Sequence, residues 1–144
     1  MILVADTSGI IAASDRNAAE SVACRSVLQQ AGTVIVSPLV LAEVDHLAKK
    51  RFGSAARTQI IDMILTQVER MRFLVPDVDR ELLPLARSVQ SRYAGLDLDL
   101  AVAVSVALAA KFRTEAVLTL DRRDFRTIRP LTQAKAFTLL PDDL

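Results

Sequence analysis

Met1-Ile2-Leu3-Val4-Ala5-Asp6-Thr7-Ser8-Gly9 opens the chain, and its reading decides the fold. Five apolar residues read as a buried strand, and Asp6-Thr7-Ser8-Gly9 as the turn or helix start that ends it. Asp6 thereby stands at a strand's carboxyl end. Downstream, Val22, Val27 and Leu28 have helical spacing within Ala18 to Gln30, and Gly32 stops that helix before a β-branched run, Val34-Ile35-Val36. Ser37 and Pro38 are an N-cap and a proline at the first helical position, which predicts a helix through about Arg51. Ile60, Ile61, Ile64, Leu65 and Val68 place another over Ala55 to Met71. Phe73 to Val75 is a third predicted strand. Asp79 caps a helix ending near Tyr93 and Gly95, and Leu100 to Phe112, apolar on nearly every face, marks a central helix. Ala116 to Leu120 is a strand ending at Asp121, and Phe137 to Leu140 a last edge strand.

Strands alternating with helices argue for an α/β fold with a mainly parallel sheet covered on both faces. In such sheets, sites form beyond the carboxyl ends of the strands, which puts Asp6 and Asp121 on the functional edge. The 144 residues are read as one domain. With 51% apolar residues, no Trp and one Tyr, the core must be built from Ala, Val, Ile and Leu. Despite a mean hydropathy of +0.31, the longest charge-free apolar run, Leu100 to Ala110, falls short of the roughly 20 residues a membrane span needs. The start lacks a basic region, and Asp6 interrupts its apolar run, so no signal peptide is read and a cytosolic location is expected. Cys24 has no partner and is expected to be a buried thiol.

A net charge of +1 says nothing of nucleic acid, but Lys49, Lys50, Arg51 and Arg57 form one basic cluster and Arg122, Arg123, Arg126 and Arg129 another. Taken alone, solvated helix ends account for both. The acids carry more. Asp6 and Asp121 end strands, Glu43 lies inside an apolar helical stretch, and Asp97 and Asp99 begin the most hydrophobic helix. Carboxylates gathered in one place repel each other and resist desolvation, so the arrangement calls for a cation. Oxygen ligands without Cys or His clusters suit Mg2+, or Mn2+ in its place, and these ions also bind phosphate oxygens. Thr7 and Ser8 suit either of two roles: bonding a ligand carboxylate or a metal-bound water, or capping the helix that follows.

Three motifs give this chain a family likeness: Val4-Ala5-Asp6-Thr7-Ser8-Gly9 with Ile10-Ile11-Ala12, then Ser37-Pro38-Leu39-Val40-Leu41-Ala42-Glu43-Val44-Asp45, and last Val117-Leu118-Thr119-Leu120-Asp121-Arg122-Arg123-Asp124-Phe125. In this order they resemble PIN-domain VapC toxins, over Ile2 to about Pro141. The resemblance implies a three-layer α/β/α sandwich, a magnesium or manganese site, endoribonuclease activity on structured RNA in a bacterial cytoplasm, and neutralisation by a VapB-type antitoxin. It makes Asp6 the first metal ligand, Glu43 the helical acid and Asp121 the acid after the late strand. Asp45 lies about 200° round the helix from Glu43 and cannot share its face. For Asp124, capping the next turn is preferred to joining the acids.

One position departs from the pattern. Such toxins usually carry a third acid at the start of the central helix, where this chain has Leu100-Ala101-Val102-Ala103. Asp99 and Asp97 are the nearest substitutes. Asp99 stands one turn before Val102 on the same face, roughly 5 to 6 Å away between β-carbons, and reads equally as a replacement ligand or as the N-cap of the helix. Three readings stay open: Asp99 replaces the ligand, Val102 inactivates the site, or three acids work weakly. Ser105, one turn past Val102, is either a contact for a metal-bound water or a small residue that lets helices approach.

For substrate contacts, Arg122 and Arg123 follow Asp121 directly and suit phosphate, while Lys49 and Arg51 suit the RNA backbone further out. With few aromatics, recognition is expected to read shape and phosphates. The family's substrates include tRNA and large-subunit rRNA, and the motifs lean towards the ribosomal group. His46, the only histidine, cannot supply an acid–base pair, which favours metal dependence. The apolar stripes of Ala18 to Gln30 and Ala55 to Met71 suit a homodimer or an antitoxin helix. The rival reading is a PIN fold without effective catalysis that binds RNA or antitoxin. An aspartyl phosphotransferase is disfavoured, because Ser8 stands where that chemistry wants a second acid.

Overall fold

The computed structural model describes residues 1–144. Its strands are β1 (Ile2–Ala5), β2 (Thr33–Ile35), β3 (Phe73–Leu74), β4 (Ala116–Leu118) and β5 (Thr138–Leu140). They form one sheet in the order β3-β2-β1-β4-β5, with every neighbouring pair parallel. Leu3 stands opposite Val34, Val4 opposite Val117, and Val117 opposite Leu139. The helices are α1 (Thr7–Ser14), α2 (Ser21–Gln30), α3 (Pro38–Phe52), α4 (Ser54–Glu69), α5 (Leu82–Arg92), α6 (Leu100–Lys111) and α7 (Arg122–Thr127).

Successive strand side chains point to opposite faces, and here that alternation builds two cores. Leu3, Ala5, Val34, Val36, Ala116 and Leu118 pack on one face with residues of α1 to α4. Val4, Ile35, Val117 and Leu139 pack on the other with α5, α6 and Phe125 of α7. The result is the α/β/α sandwich expected. Both faces of the sheet are covered, which is why the strands read as unbroken apolar runs.

Local signals set most element ends. Ser37 Oγ accepts the Leu39 N–H at 3.1 Å with Pro38 at the first helical position, so α3 starts where the sequence predicts. Its Val40, Val44 and Ala48, four residues apart, form one fully buried stripe. α6 is buried continuously from Ala101 to Ala109, and Cys24 is a buried free thiol. Other ends differ. α2 begins at Ser21, not Ala18, because turns closed by Ala18 N–H on Asp15 and Ser21 N–H on Ala18 precede it. β4 stops at Leu118, not Leu120: the Asp6 N–H to Leu118 O bond is its last to β1, and beyond it the Thr119 side chain turns to Asp6. Residues 122–127, to which the sequence reading assigns no element, form α7.

Candidate active site

Asp6 ends β1, and its backbone carbonyl accepts the Gly9 and Ile10 N–H groups that begin α1. Its side chain does not cap that helix. Instead Oδ2 receives two hydroxyls, from Ser8 at 3.0 Å and from Thr119 at 2.9 Å. The carboxyl is 5% exposed, and burial pushes its pKa from 3.8 up to about 6. The hydroxyl bonds pull the other way without offsetting burial, and the Asp121 charge adds to the rise.

Glu43 comes from the middle of α3, where its Oε1 accepts the Thr7 hydroxyl at 2.7 Å. Thr7 and Ser8 therefore both bond an acid of the site, the first of their two readings, and neither side chain caps α1. Asp45 faces away and pairs with Arg57 at 3.1 Å, so that arginine of the basic cluster is engaged. Asp121 is the N-cap of α7: its Oδ1 accepts the Asp124 N–H at 3.1 Å, and its own N–H donates to Thr119 Oγ1 at 2.9 Å. Asp99 is the N-cap of α6, accepting the Val102 N–H on Oδ1 at 2.9 Å, and it also lines the same pocket.

That pocket, about 340 Å³, lies beyond the carboxyl ends of β1 and β4 and is lined by Asp6, Glu43, Asp99 and Asp121 together with Thr7, Ser8 and Val102. Asp15, at the end of α1, and Arg51, in the last turn of α3, complete its polar wall. Five carboxylates thus face one cation, and none of the five is in an ion pair. No three of the His, Cys, Asp and Glu side chains are gathered tightly enough to chelate an ion unaided. The donor set fits Mg2+ held largely through its own waters by one or two carboxylates, and it does not form an all-protein cage.

Several placements correct the sequence reading. Asp124 is not the cap, which is Asp121; it lies in the first turn of α7 outside the pocket wall, its pKa raised by burial and by the neighbouring Asp121 and Asp99 side chains. Asp97 sits in a left-handed turn at φ 51° outside the pocket wall, leaving Asp99 as the acid near Val102. Ser105 is buried with no hydrogen-bond partner and does not line the pocket. Arg122 is turned from the pocket: it donates to Asp142 and to the Leu120 carbonyl. Arg123 is exposed and in no ion pair, Lys49 is exposed, and Arg51 is nearer the acids than expected. Asp15 and Thr119 were missed. Thr119 had a signal, a hydroxyl two residues before Asp121 at a strand's end, whereas only the length of α1 brings Asp15 round.

An α/β/α sandwich with acids beyond its strand ends defines a class, and the chain belongs to the PIN domain family, whose sequence model matches residues 3–129. It is 29% identical over 140 residues to Ribonuclease VapC26 of Mycobacterium tuberculosis, covering 96% of this chain and all of that protein. Among solved structures it resembles Mycobacterium tuberculosis VapC20, a toxin that cleaves the sarcin-ricin loop, with a TM-score of 0.74 at 20% identity over 84% of this chain and 91% of that one. It also resembles Rickettsia felis VapBC2 bound to a promoter DNA fragment, with a TM-score of 0.64 at 17% identity over 91% and 96% of the two chains. A toxin–antitoxin complex from Klebsiella pneumoniae matches with a TM-score of 0.61 at 19% identity over 88% and 92%. No helix is long and apolar enough to cross a membrane.

Proposed function

We propose that this chain is a metal-dependent endoribonuclease, the toxin of a type II toxin–antitoxin pair, hydrolysing phosphodiester bonds in structured RNA such as tRNA or large-subunit rRNA. The observation that carries the reading is the pocket itself: Asp6, Glu43, Asp99 and Asp121 face one space, and the buried Asp6 is in no ion pair. Similarity to a ribonuclease over the whole chain supports it.

Asp6, Asp99 and Asp121 are the groups that would hold Mg2+, or Mn2+ in its place, one or two of them directly and the rest through the ion's waters. A divalent ion there supplies activation of the attacking water and neutralisation of charge on the phosphate. Glu43 is held at Oε1 by Thr7, which leaves Oε2 to accept the proton that the water loses as its oxygen bonds to phosphorus, while the P–O bond to the leaving nucleotide breaks and that oxygen takes a proton from solvent. Ser8 and Thr119 hold Asp6 in one orientation. Arg51 and Arg123 offer guanidinium groups for the phosphates on either side of the cut, and Lys49 extends the grip along the strand. Arg122 is committed to Asp142 and is left out of this set.

A VapB-type antitoxin is the proposed partner, supported by likeness to the Klebsiella pneumoniae complex. A groove of about 180 Å³ between α1, α2 and α4, lined by Ile10, Leu28, Met63, Ile64 and Phe73, suits the apolar face of a helix. A homodimer and a cytoplasmic location complete the reading. The second reading, a weakened PIN fold that binds RNA or antitoxin, is favoured by Val102 on the pocket wall. Purified protein with structured RNA separates the two. Cleavage that EDTA stops, Mg2+ restores and Asp6→Asn abolishes is expected; RNA binding with no cleavage at saturating Mg2+ or Mn2+ would favour the binding module.

A further inference from the structure

The chain ends by gripping the helix that carries the late acids. Arg122 Nε and Nη2 both donate to Asp142, the second at 3.0 Å. Arg126 Nη1 and Nη2 donate to Asp143 at 2.8 and 2.6 Å. These are two forked pairs from adjacent carboxylates to arginines four residues apart, which share one face of α7. Asp143 is itself tied down, since its Oδ2 accepts the Leu139 N–H at 2.7 Å, and β5 is paired with β4, the strand that leads to Asp121.

α7 needs such a hold. With six residues it has too few internal hydrogen bonds to persist alone. Phe125 and Ile128 anchor its inner side, Phe125 meeting the Phe137 ring edge to face at 5.7 Å. Those apolar contacts resist withdrawal from the core but leave rolling about the helix axis less restrained. Two forked pairs on the outer side oppose that roll. Exposed ion pairs contribute little to stability, so their consequence here is orientation.

We propose that Asp142 and Asp143 are positioning residues: by holding Arg122 and Arg126 they set the orientation of α7, and with it the carboxylates of Asp121 and Asp124. The consequence for metal binding rests on the nuclease reading above; the orientation of α7 does not.

The test is the double variant Asp142→Asn/Asp143→Asn, followed in metal-free protein by amide hydrogen exchange at Asp124, whose N–H the Asp121 carboxylate accepts. Exchange there should speed up by about tenfold while the thermal midpoint barely moves, and Mn2+ affinity should fall by about tenfold, as for other groups that orient metal ligands. In cleavage assays the Mg2+ needed for half-maximal rate should rise and the KM for RNA should stay. Asp142→Asn alone, which removes only the exposed Arg122 pair, gives the same readouts if the double variant fails to fold. Unchanged exchange and unchanged Mn2+ affinity in a folded variant overturn the proposal. A wild-type protein that cuts no RNA defeats the nuclease reading instead, and the exchange at Asp124 still decides this one.

Discussion

Thr119 holds Asp6. Its hydroxyl donates to the buried Oδ2 of Asp6 at 2.9 Å, and its own Oγ1 accepts the backbone N–H of Asp121, so one small side chain links the acid of β1 to the acid that opens α7. Thr119→Val keeps the shape and removes both bonds. It should push the Asp6 pKa further above about 6 and weaken Mn2+ binding by about tenfold, with Thr119→Ser restoring most of it. Titration with Mn2+ at pH 7 reads the change; equal affinity in wild type and Thr119→Val would remove Thr119 from the site.

Asp99 serves as a helix cap whether or not it binds metal, and the two roles separate by substitution. Asn caps as well as Asp, so Asp99→Asn should leave the unfolding free energy nearly unchanged, while Asp99→Ala costs about 1 kcal/mol. Metal-dependent cleavage should fall at least tenfold in both variants if the charge is a ligand, on the scale of metal-site losses of about 10- to 100-fold. Full cleavage by Asp99→Asn would leave it a cap alone.

Val102 lines the acidic pocket at 8% exposure. Val102→Asp should lower the Mg2+ concentration needed for cleavage and raise the rate. Without metal the added carboxylate is desolvated among others, and the fold should lose about 2 kcal/mol. EDTA should therefore lower the thermal midpoint of Val102→Asp far more than that of the wild type. The same midpoint shift in both proteins would mean that position 102 is outside the metal site.

Asp6 also makes stability depend on pH. Its folded pKa, about 6, lies above the 3.8 of the unfolded chain, so the folded state binds the proton more tightly. Stability from this group is complete below about pH 4, declines as pH rises to about 6, and the full penalty of roughly 3 kcal/mol persists above that. Asp143, held down to about 2 by Arg126, acts oppositely, and its contribution is lost as pH falls below about 4. Urea unfolding in EDTA should show the wild type gaining about 1 kcal/mol or more between pH 7 and pH 5 relative to Asp6→Asn. An equal gain in both would contradict the assignment.

Gly9 sets the spacing between α1 and β4. A β-carbon there would stand 2.6 Å from Leu118 Cγ and 2.8 Å from the Leu118 carbonyl oxygen, and the backbone atom cannot yield cheaply. Gly9→Ala should cost about 2 to 3 kcal/mol in chemical unfolding through overpacking. Unfolding within a few tenths of wild type would show that the two elements can separate.

The sandwich was legible because each strand is a short apolar run with a turn signal after it, and each long helix carries its own stripe or cap. Asp6 and Asp121 could be placed from the strand ends they follow, which are local properties, whereas Glu43 was chosen over Asp45 on the motif resemblance. What Asp124 and Arg122 do was not legible: their partners, Asp121 and Asp142, are set by how α7 rolls against the end of the chain. Thr119 reached Asp6 only because β4 lies beside β1, across 113 residues. Covalent order carries the period of burial and the chemistry of a cap; which carboxylate meets which hydroxyl or guanidinium depends on distances that exist only after the sheet has brought remote strands together.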